Sequence, residues 1–259
     1  MYGNRFPHRS TKLFTVTSSI DTSYMDVVPR PSGDGTDPGL LALVGGNEWR
    51  NGCTFDREIV ASQPGAPVVV IPTAAAFEGP KGAVATATAW FASLGATVEI
   101  CPIYNRPDAF DPMIVEQLRH ARILYFSGGS AMHLMSVMQD SPAWSAARDS
   151  WKAGATLAAS SAGAMVLADP MIDQRGGAFT LGLGLLPGIA VLPHANTWSA
   201  ERMRRTQKLA GVNVSLLAID EETAALREPG GTWKHAGKGN VLLHRTGEGA
   251  PHLPGLPTR

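Results

Sequence analysis

Hydrophobic residues form a regular pattern from about residue 40 onward. Short unbroken apolar runs alternate with longer stretches in which apolar residues recur at helical spacing. The runs are Leu40–Val44, Pro67–Pro72, Thr97–Pro102, Arg122–Phe126 and Ala155–Ala159. Apolar strands separated by helices are typical of a parallel sheet that is covered on both faces, because both sides of each strand are then buried.

The stretches between these runs predict helices, and the chain after residue 186 predicts shorter strands. The helices are Gly82–Leu94, Pro112–His120, Ala131–Gln139 and Pro142–Ala153, and the strands are Ala190–Pro193, Ser215–Ile219 and a hairpin through Trp233–Leu243. Trp144 and Trp151 share one face of their helix, which favours core packing. The sequence therefore predicts an α/β protein of three layers, α/β/α, with a mostly parallel central sheet.

Residues 1–38 differ from the rest of the chain. They contain Ser, Thr, Pro, Gly and Asp without clear periodicity and end in the Pro- and Gly-rich stretch before residue 40. This composition predicts a tail and linker that is extended or partly disordered. Residues 39–259 are then expected to form a single α/β domain, since a chain of this length can bury a substantial core.

Charge and composition exclude several classes of function. Lys and Arg number 22 and Asp and Glu number 22, so nothing favours nucleic acid or an anionic membrane. Cys53 and Cys101, the only cysteines, form no metal-ligand pattern and indicate a reducing compartment. No apolar run approaches the ~20 residues that span a bilayer, and the N-terminus lacks a signal-peptide core. We expect a cytoplasmic protein with a small peptide or other small molecule as partner, and a homodimer is compatible with this sequence.

The strongest chemical signal is Ala159-Ser-Ser-Ala-Gly-Ala164, which directly follows an apolar run and precedes a helix-like stretch. A serine nucleophile on a strand-to-helix turn needs small neighbours, usually in the pattern Gly-x-Ser-x-Gly. Gly163 sets the register, so Ser161 is the candidate nucleophile, and Ala159 stands where the first glycine is usual. The same residues also fit a turn in which serine only caps the helix.

Two other strand ends carry candidate chemistry. Phe126-Ser-Gly-Gly-Ser130 places paired glycines after a strand, where a main-chain N–H can face a cleft as an oxyanion hole requires. A tight turn is the simpler explanation of the glycines alone. His194 ends another predicted strand, and a serine nucleophile needs a neighbouring base. Ligands bind at the carboxyl ends of strands in such sheets, so these groups are expected at one edge.

Taken in order, the motifs resemble the cyanophycinase and peptidase E family of serine peptidases, whose fold is akin to that of class I glutamine amidotransferases. The resemblance covers about residues 40–245. It is carried by Val44-Gly-Gly46, Phe126-Ser-Gly-Gly129, Ser161-Ala-Gly-Ala164, Gly182–Gly188 leading to His194, Ile219-Asp-Glu-Glu-Thr-Ala224 and Ala236-Gly-Lys-Gly-Asn-Val241.

The resemblance implies a dipeptidase or exopeptidase that cleaves a peptide or isopeptide bond through an acyl-enzyme, with preference for an aspartyl residue beside that bond. It implies no metal and no cofactor. The implied residues are Ser161 as nucleophile, His194 as general base, the main chain of Gly129 and Ala162 as oxyanion hole, and Asp173 as the acid, with Glu221 as its rival.

The chain departs from the family at the positions expected to bind the substrate. Cyanophycinase-like members carry Asp-Gln after the double glycine, whereas this chain has Ser130-Ala131. Their arginines follow the histidine sooner than Arg202 does, although Arg202 could still pair with a substrate carboxylate. Ser130 and Arg202 are therefore the candidate substrate-binding residues.

Two other functions fit parts of the pattern. An esterase or acyl hydrolase shares the elbow, but its histidine usually lies close to the C-terminus, and this chain continues far beyond His194. An amidotransferase-like binding or regulatory module would keep the geometry without the chemistry. The order of the motifs favours the peptidase over both.

Overall fold

The computed structural model describes residues 37–173, 175 and 177–258, so residues 1–36 of the predicted tail lie outside the described part of the chain. In chain order the strands are β1 (Leu41–Val44), β2 (Val68–Ile71), β3 (Val98–Ile100), β4 (Ile123–Phe126), β5 (Thr156–Ser160), β6 (Ala168–Asp169), β7 (Met171–Ile172), β8 (Phe179–Thr180), β9 (Leu186–Pro187), β10 (Ile189–Leu192), β11 (Ser215–Ile219), β12 (Thr223–Arg227), β13 (Trp233–Gly237) and β14 (Val241–Arg245). The α-helices are α1 (Asp56–Ala61), α2 (Pro80–Ser93), α3 (Pro112–His120), α4 (Ala131–Met138), α5 (Pro142–Lys152), α6 (Ala162–Leu167) and α7 (Ala200–Leu209).

The five predicted apolar runs form the parallel part of the central sheet. Among the described residues this sheet has seven strands in the order β13-β12-β1-β5-β4-β2-β3. Strands β1 to β5 are parallel to their neighbours within this group, whereas β12 and β13 extend it as antiparallel strands. The carboxyl ends of β1, β4 and β5 therefore meet at one edge, where ligands bind in sheets of this kind.

Alternate residues of the central strands enter two separate hydrophobic clusters. In β1, Leu41 and Leu43 pack in the cluster that contains α3 to α6, and Ala42 and Val44 pack in the cluster that contains α1 and α2. Successive side chains of a strand point to opposite faces, so helices cover both faces of the sheet. Both tryptophans of α5 are buried, as predicted. The predicted three-layer α/β/α architecture is confirmed.

The predicted hairpin through Trp233–Leu243 is wrong. β13 pairs with β12 in the central sheet, but β14 pairs with β11 in a second sheet of order β14-β11-β10-β6-β9. The link between them crosses from one sheet to the other and is held by Asp220, whose carboxylate accepts a hydrogen bond from the Asn240 N–H at 2.9 Å. Because Asp220 precedes Asn240 by 20 residues, the local sequence gives no sign of this contact.

A carboxyl group lies buried on the α1–α2 side of the central sheet. Asp56, the first residue of α1, is fully buried, and its Oδ2 accepts a hydrogen bond from Trp90 Nε1 at 2.8 Å. Its Oδ1 has no hydrogen-bond partner among the described residues. Burial removes the carboxylate from water and raises the pKa of Asp56 to about 7.

This raised pKa predicts a pH-dependent stability. The folded protein keeps a proton on Asp56 that the unfolded chain loses near pH 3.8, so the stabilisation is complete below that pH and is lost as the pH rises through about 7. Asp56→Asn carries no such proton. Its free energy of unfolding relative to wild type should therefore rise by on the order of 4 kcal/mol from pH 4 to pH 8. Urea denaturation at both pH values measures this difference. If the free energies of unfolding of wild type and Asp56→Asn change equally between the two pH values, the prediction is contradicted. Asp149→Asn, on the surface of α5, is the control.

Candidate active site

Ser161 lies on a tight turn between a strand and a helix. β5 ends at Ser160 and α6 begins at Ala162, so Ser161 alone reverses the chain, with φ 50° and ψ −111°. A positive φ is uncommon outside glycine and costs about 1–3 kcal/mol, and the Ser161 N–H donates to Val44 O at 2.9 Å, which helps to hold it. Ser161 is 8% exposed and Ser160 is fully buried. Of the two serines, Ser161 is therefore the one that can meet a substrate.

His194 approaches Ser161 from the second sheet. It follows β10, adopts a left-handed backbone with φ 52°, and donates its N–H to Gly45 O at 2.7 Å. Its Nε2 lies 2.9 Å from Ser161 Oγ. Gly46 passes so close to the imidazole that a Cβ there would lie 2.2 Å from His194 Cε1. Gly46, the second of the paired glycines after β1, therefore leaves the space in which the imidazole lies.

Glu221 provides a carboxylate on the other side of the imidazole. Its Oε1 lies 2.8 Å from His194 Nδ1, and its N–H donates to Asn196 Oδ1 at 2.9 Å. Ser161, His194 and Glu221 thus form a continuous chain of polar contacts. Their three turns follow β5, β10 and β11, so the contacts depend on how the two sheets pack.

Asp173, the first of the two candidate acids, makes its side-chain contacts with Arg175 and has no hydrogen bond to His194 among those of the described residues. Its Oδ2 pairs with Arg175 Nη2 at 2.8 Å, and the hydrogen bonds from Arg175 lower the pKa of Asp173 to about 2. The chain leaves α6 through the short strands β6 to β8 and carries Asp173 into the β7–β8 turn. The carboxylate that reaches His194 Nδ1 is that of Glu221.

The double glycine after β4 lies directly beside Ser161. A Cβ built on Gly128 would lie 3.3 Å from Ser161 Cβ, and one on Gly129 would lie 2.3 Å from Ala74 O. Gly129 also has φ 135°, which only glycine adopts readily. Its N–H donates no hydrogen bond within the described residues, and the N–H of Ala162, the first residue of α6, has no acceptor inside the helix. Neither amide therefore donates a backbone hydrogen bond within the described residues.

Ser130 serves as the N-cap of α4. Its Oγ accepts a hydrogen bond from the His133 N–H at 3.2 Å, and its own N–H donates to Ala74 O at 2.8 Å. Capping accounts for this serine without a substrate. The prediction that Ser130 binds substrate is untested by these contacts.

Arg202 lines a cavity of about 200 Å³ that adjoins the candidate base. The cavity is lined by Met165, Pro193, His194, Thr197, Trp198 and Arg202. The Arg202 guanidinium carbon lies 3.8 Å from the centre of the Trp198 ring, a cation–π contact that orients the charge. Four larger cavities do not touch Ser161 or His194. Those of about 430 and 380 Å³ lie against the amino ends of the strands, one of about 370 Å³ lies on the other side of Arg202, and one of about 360 Å³ lies between α3 and α5. We favour the smaller cavity because of the chemistry beside it.

The described residues offer little for other kinds of chemistry. They contain no group of three or more His, Cys, Asp or Glu side chains suited to a metal ion. Burial raises the pKa of both Cys53 and Cys101 to about 12, so their thiols stay protonated. None of the helices in this part of the chain has the length and apolar character that crossing a bilayer needs.

Sequence reasoning missed two polar residues that contact the site. Glu48 follows the paired glycines after β1 and accepts hydrogen bonds from Ser160 Oγ and the Gly128 N–H. Asn196, two residues after His194, holds the main chain of Glu221. Their closeness to the recognised motifs was the only signal in the sequence.

Comparison with known proteins matches this chain to peptidases. The model of peptidase family S51 matches residues 43–232. A cyanophycinase from a Nostoc species is 31% identical over 166 residues, which are 59% of this chain and 55% of that protein. A cyanophycinase from Synechococcus elongatus is 28% identical over 158 residues, or 56% and 48% of the two chains. The chain thus spans about half the length of the curated relatives it matches.

Solved structures agree with this result. A peptidase from an acI-B1 actinobacterium has a TM-score of 0.72 and 28% identity, covering 84% of this chain and 93% of that one. A putative peptidase E from Listeria monocytogenes has a TM-score of 0.57 and 18% identity, covering 80% and 98%, and supports the fold alone. The resemblance to the cyanophycinase and peptidase E family is confirmed. Because the family model spans most of the chain, including all three members of the polar chain at Ser161, this protein belongs to peptidase family S51.

Proposed function

We propose that this protein is a serine peptidase that cleaves a short peptide or isopeptide through an acyl-enzyme. The observation that carries the proposal is the chain of contacts from Ser161 Oγ to His194 Nε2, at 2.9 Å, and from His194 Nδ1 to Glu221 Oε1, at 2.8 Å. A serine on a strand-to-helix turn, next to an imidazole that a carboxylate orients, has the parts of an activated nucleophile. Glu221 is the proposed acid in place of Asp173.

The first half-reaction forms the acyl-enzyme. Glu221 accepts a hydrogen bond from His194 Nδ1–H, which leaves Nε2 free to accept the proton of Ser161 as Oγ attacks the substrate carbonyl. The negative charge on the carbonyl oxygen is stabilised by the N–H groups of Gly129 and Ala162, and each well-placed donor contributes about 3 kcal/mol. The His194 imidazolium, stabilised by Glu221, then protonates the leaving amine as the C–N bond breaks.

The second half-reaction returns the enzyme to its starting state. Water enters where the amine left, and His194 Nε2 takes its proton as the oxygen attacks the ester carbonyl. The same two amides stabilise the second oxyanion. His194 then protonates Ser161 Oγ as the ester bond breaks and the carboxylic acid product leaves.

We propose an acidic residue on the acyl side of the cleaved bond. The cavity beside His194 is small and contains one guanidinium, that of Arg202, held against Trp198. A guanidinium matches a carboxylate because it can donate two parallel hydrogen bonds. The aspartyl preference implied by the family is compatible with this arrangement, although Ser130 replaces a polar family residue.

The test combines a reactive probe with a substrate panel. The purified protein is treated with a fluorophosphonate, which modifies activated serines, and is assayed on aspartyl dipeptides, isoaspartyl dipeptides, leucyl dipeptides and p-nitrophenyl esters. We expect labelling of one serine per chain and cleavage of aspartyl peptides. Ester cleavage without peptide cleavage would instead favour an acyl hydrolase. Absence of both labelling and cleavage would favour a binding module.

Replacement of Arg202 tests the proposed substrate class. Arg202→Ala is expected to raise KM for an aspartyl dipeptide about 10- to 100-fold, because a charge-assisted pair is worth about 1.5–3 kcal/mol. The kcat for a leucyl dipeptide should change little, since that side chain makes no ion pair. Arg204→Ala, on the same helix but outside the cavity lining, is the matched control. An equal loss of activity on the aspartyl and the leucyl dipeptide would contradict the assignment of Arg202 to the substrate carboxylate.

A further inference from the structure

One carboxylate joins two segments of the active site. Glu48 Oε2 accepts a hydrogen bond from Ser160 Oγ at 2.8 Å, and Glu48 Oε1 accepts one from the Gly128 N–H at 3.0 Å. Ser160 immediately precedes the proposed nucleophile, and Gly128 immediately precedes the proposed oxyanion donor Gly129. Glu48 itself contacts neither His194 nor Glu221 through any hydrogen bond of the described residues.

The two joined segments each carry one proposed oxyanion donor. The Gly129 N–H belongs to the peptide unit that follows Gly128, and the Ala162 N–H lies two residues beyond Ser160. Two consecutive glycines have the widest conformational freedom of any pair and bring no side chain of their own to hold the turn. A contact that fixes the Gly128 N–H therefore limits where the next N–H can point. The Glu48 carboxylate also holds the strand-to-helix turn, through Ser160 Oγ.

The position of Glu48 is fixed on both sides along the chain. Trp49 is buried and its ring centre lies 5.4 Å from that of Tyr125 in β4. Glu222, next to the proposed acid, accepts hydrogen bonds from Asn47 Nδ2 at 3.5 Å and from the Gly52 N–H at 3.2 Å. The loop that carries Glu48 is thus attached to the strand before the double glycine and to the turn of the acid. The carboxylate can act as a rigid bridge and not as a mobile surface group.

We infer that Glu48 is a positioning residue that sets the separation of the Gly129 and Ala162 amides for the oxyanion. The inference rests on the proposed function, because an oxyanion forms only if Ser161 attacks a carbonyl. It assigns Glu48 no contact with the substrate. Preorganised donors act mainly in the transition state, so loss of the bridge should lower kcat and leave KM nearly unchanged.

Two replacements of similar size separate positioning from charge. Glu48→Met removes both acceptors, and we expect kcat to fall about 100-fold, the loss that a misplacement of about 1 Å can cause. Glu48→Gln keeps both contacts, because its oxygen accepts from Gly128 N–H and its NH2 donates to Ser160 Oγ, and it should retain kcat within about fivefold. Ser160→Ala removes one contact and should fall between the two. Glu58→Met, which removes a carboxylate paired with Lys234 away from the site, is the control.

Inhibitor binding gives a readout that a general loss of stability would not move. A peptide aldehyde forms a tetrahedral adduct with an oxyanion, and its inhibition constant should rise in Glu48→Met by about the factor lost in kcat. The inhibition constant of a cleaved product should stay the same. A rise in KM in Glu48→Met, together with an equal rise in Glu48→Gln, would overturn the inference in favour of a direct charge contact between Glu48 and the substrate.

Hydrogen exchange tests the bridge without relying on activity. The amides of residues 127–130 should exchange faster in Glu48→Met than in wild type, while the rest of the central sheet keeps its protection. If wild type is inactive but exchange responds, the proposed function fails and the bridge survives. If wild type is active but neither kcat nor exchange responds to Glu48→Met, the inference fails and the proposed function stands.

Discussion

Replacing Ser161 with alanine is expected to lower kcat/KM about 10⁶-fold on any peptide that the wild-type protein cleaves. The change removes the only atom that forms the covalent bond, and what remains is the small contribution of binding and of the oxyanion donors. Alanine differs from serine by one hydroxyl, and Ser161 already carries the cost of a positive φ. The melting temperature should therefore stay within a few degrees of wild type.

The measurement is peptide hydrolysis together with fluorophosphonate labelling followed by mass spectrometry. Label should be found on Ser161 in wild type and on no residue in Ser161→Ala. Ser93→Ala, an exposed serine at the end of α2, makes the same chemical change and should behave as wild type. Activity above a tenth of wild type in Ser161→Ala, or label on another residue, would show that the nucleophile lies elsewhere.

Replacing Glu221 with glutamine is expected to lower kcat about 10³- to 10⁴-fold, whereas Asp173→Asn should change it less than about twofold. The carboxylate of Glu221 holds the proton of His194 on Nδ1 and stabilises the imidazolium, and an amide does neither reliably. Asp173 makes its contacts with Arg175, in a turn that Glu221 and His194 do not share. The pair of variants thus decides between two acids that the sequence left open.

Steady-state hydrolysis of the same peptide by both variants measures the difference. A large loss of kcat in Asp173→Asn, with little change in Glu221→Gln, would restore Asp173 as the acid.

The local pattern was enough to predict most of the central sheet and its helices. Each apolar run became a strand within a residue or two of its expected bounds, and helix α3 has the predicted ends. The elbow was also predictable, because its requirements are local. A side chain at Gly163 would lie 2.8 Å from Phe126 O, so the small residues of the motif reflect close approach to the preceding strand.

The carboxylate that pairs with His194 could not be predicted from local sequence pattern. Asp173 is closer to Ser161 and His194 along the sequence, but the chain turns through short strands after α6 and carries it to Arg175. Glu221 reaches His194 because β10 and β11 pair in parallel, which puts the ends of the two strands side by side. The family resemblance gave both candidates, and the pairing of strands separates them.

The sequence by itself determined the α/β class, the order of strands and helices along the chain, the turn that carries Ser161 and the glycines that crowd around it. These features depend on the hydrophobic period and on steric limits among residues that are close along the chain, so a short stretch of sequence is enough to predict them. Tertiary structure alone decided that β13 and β14 enter different sheets, that Glu221 meets His194, and that Glu48 joins Ser160 to Gly128. Each of these is a contact between residues far apart along the chain, and it is set by the packing of whole sheets against one another.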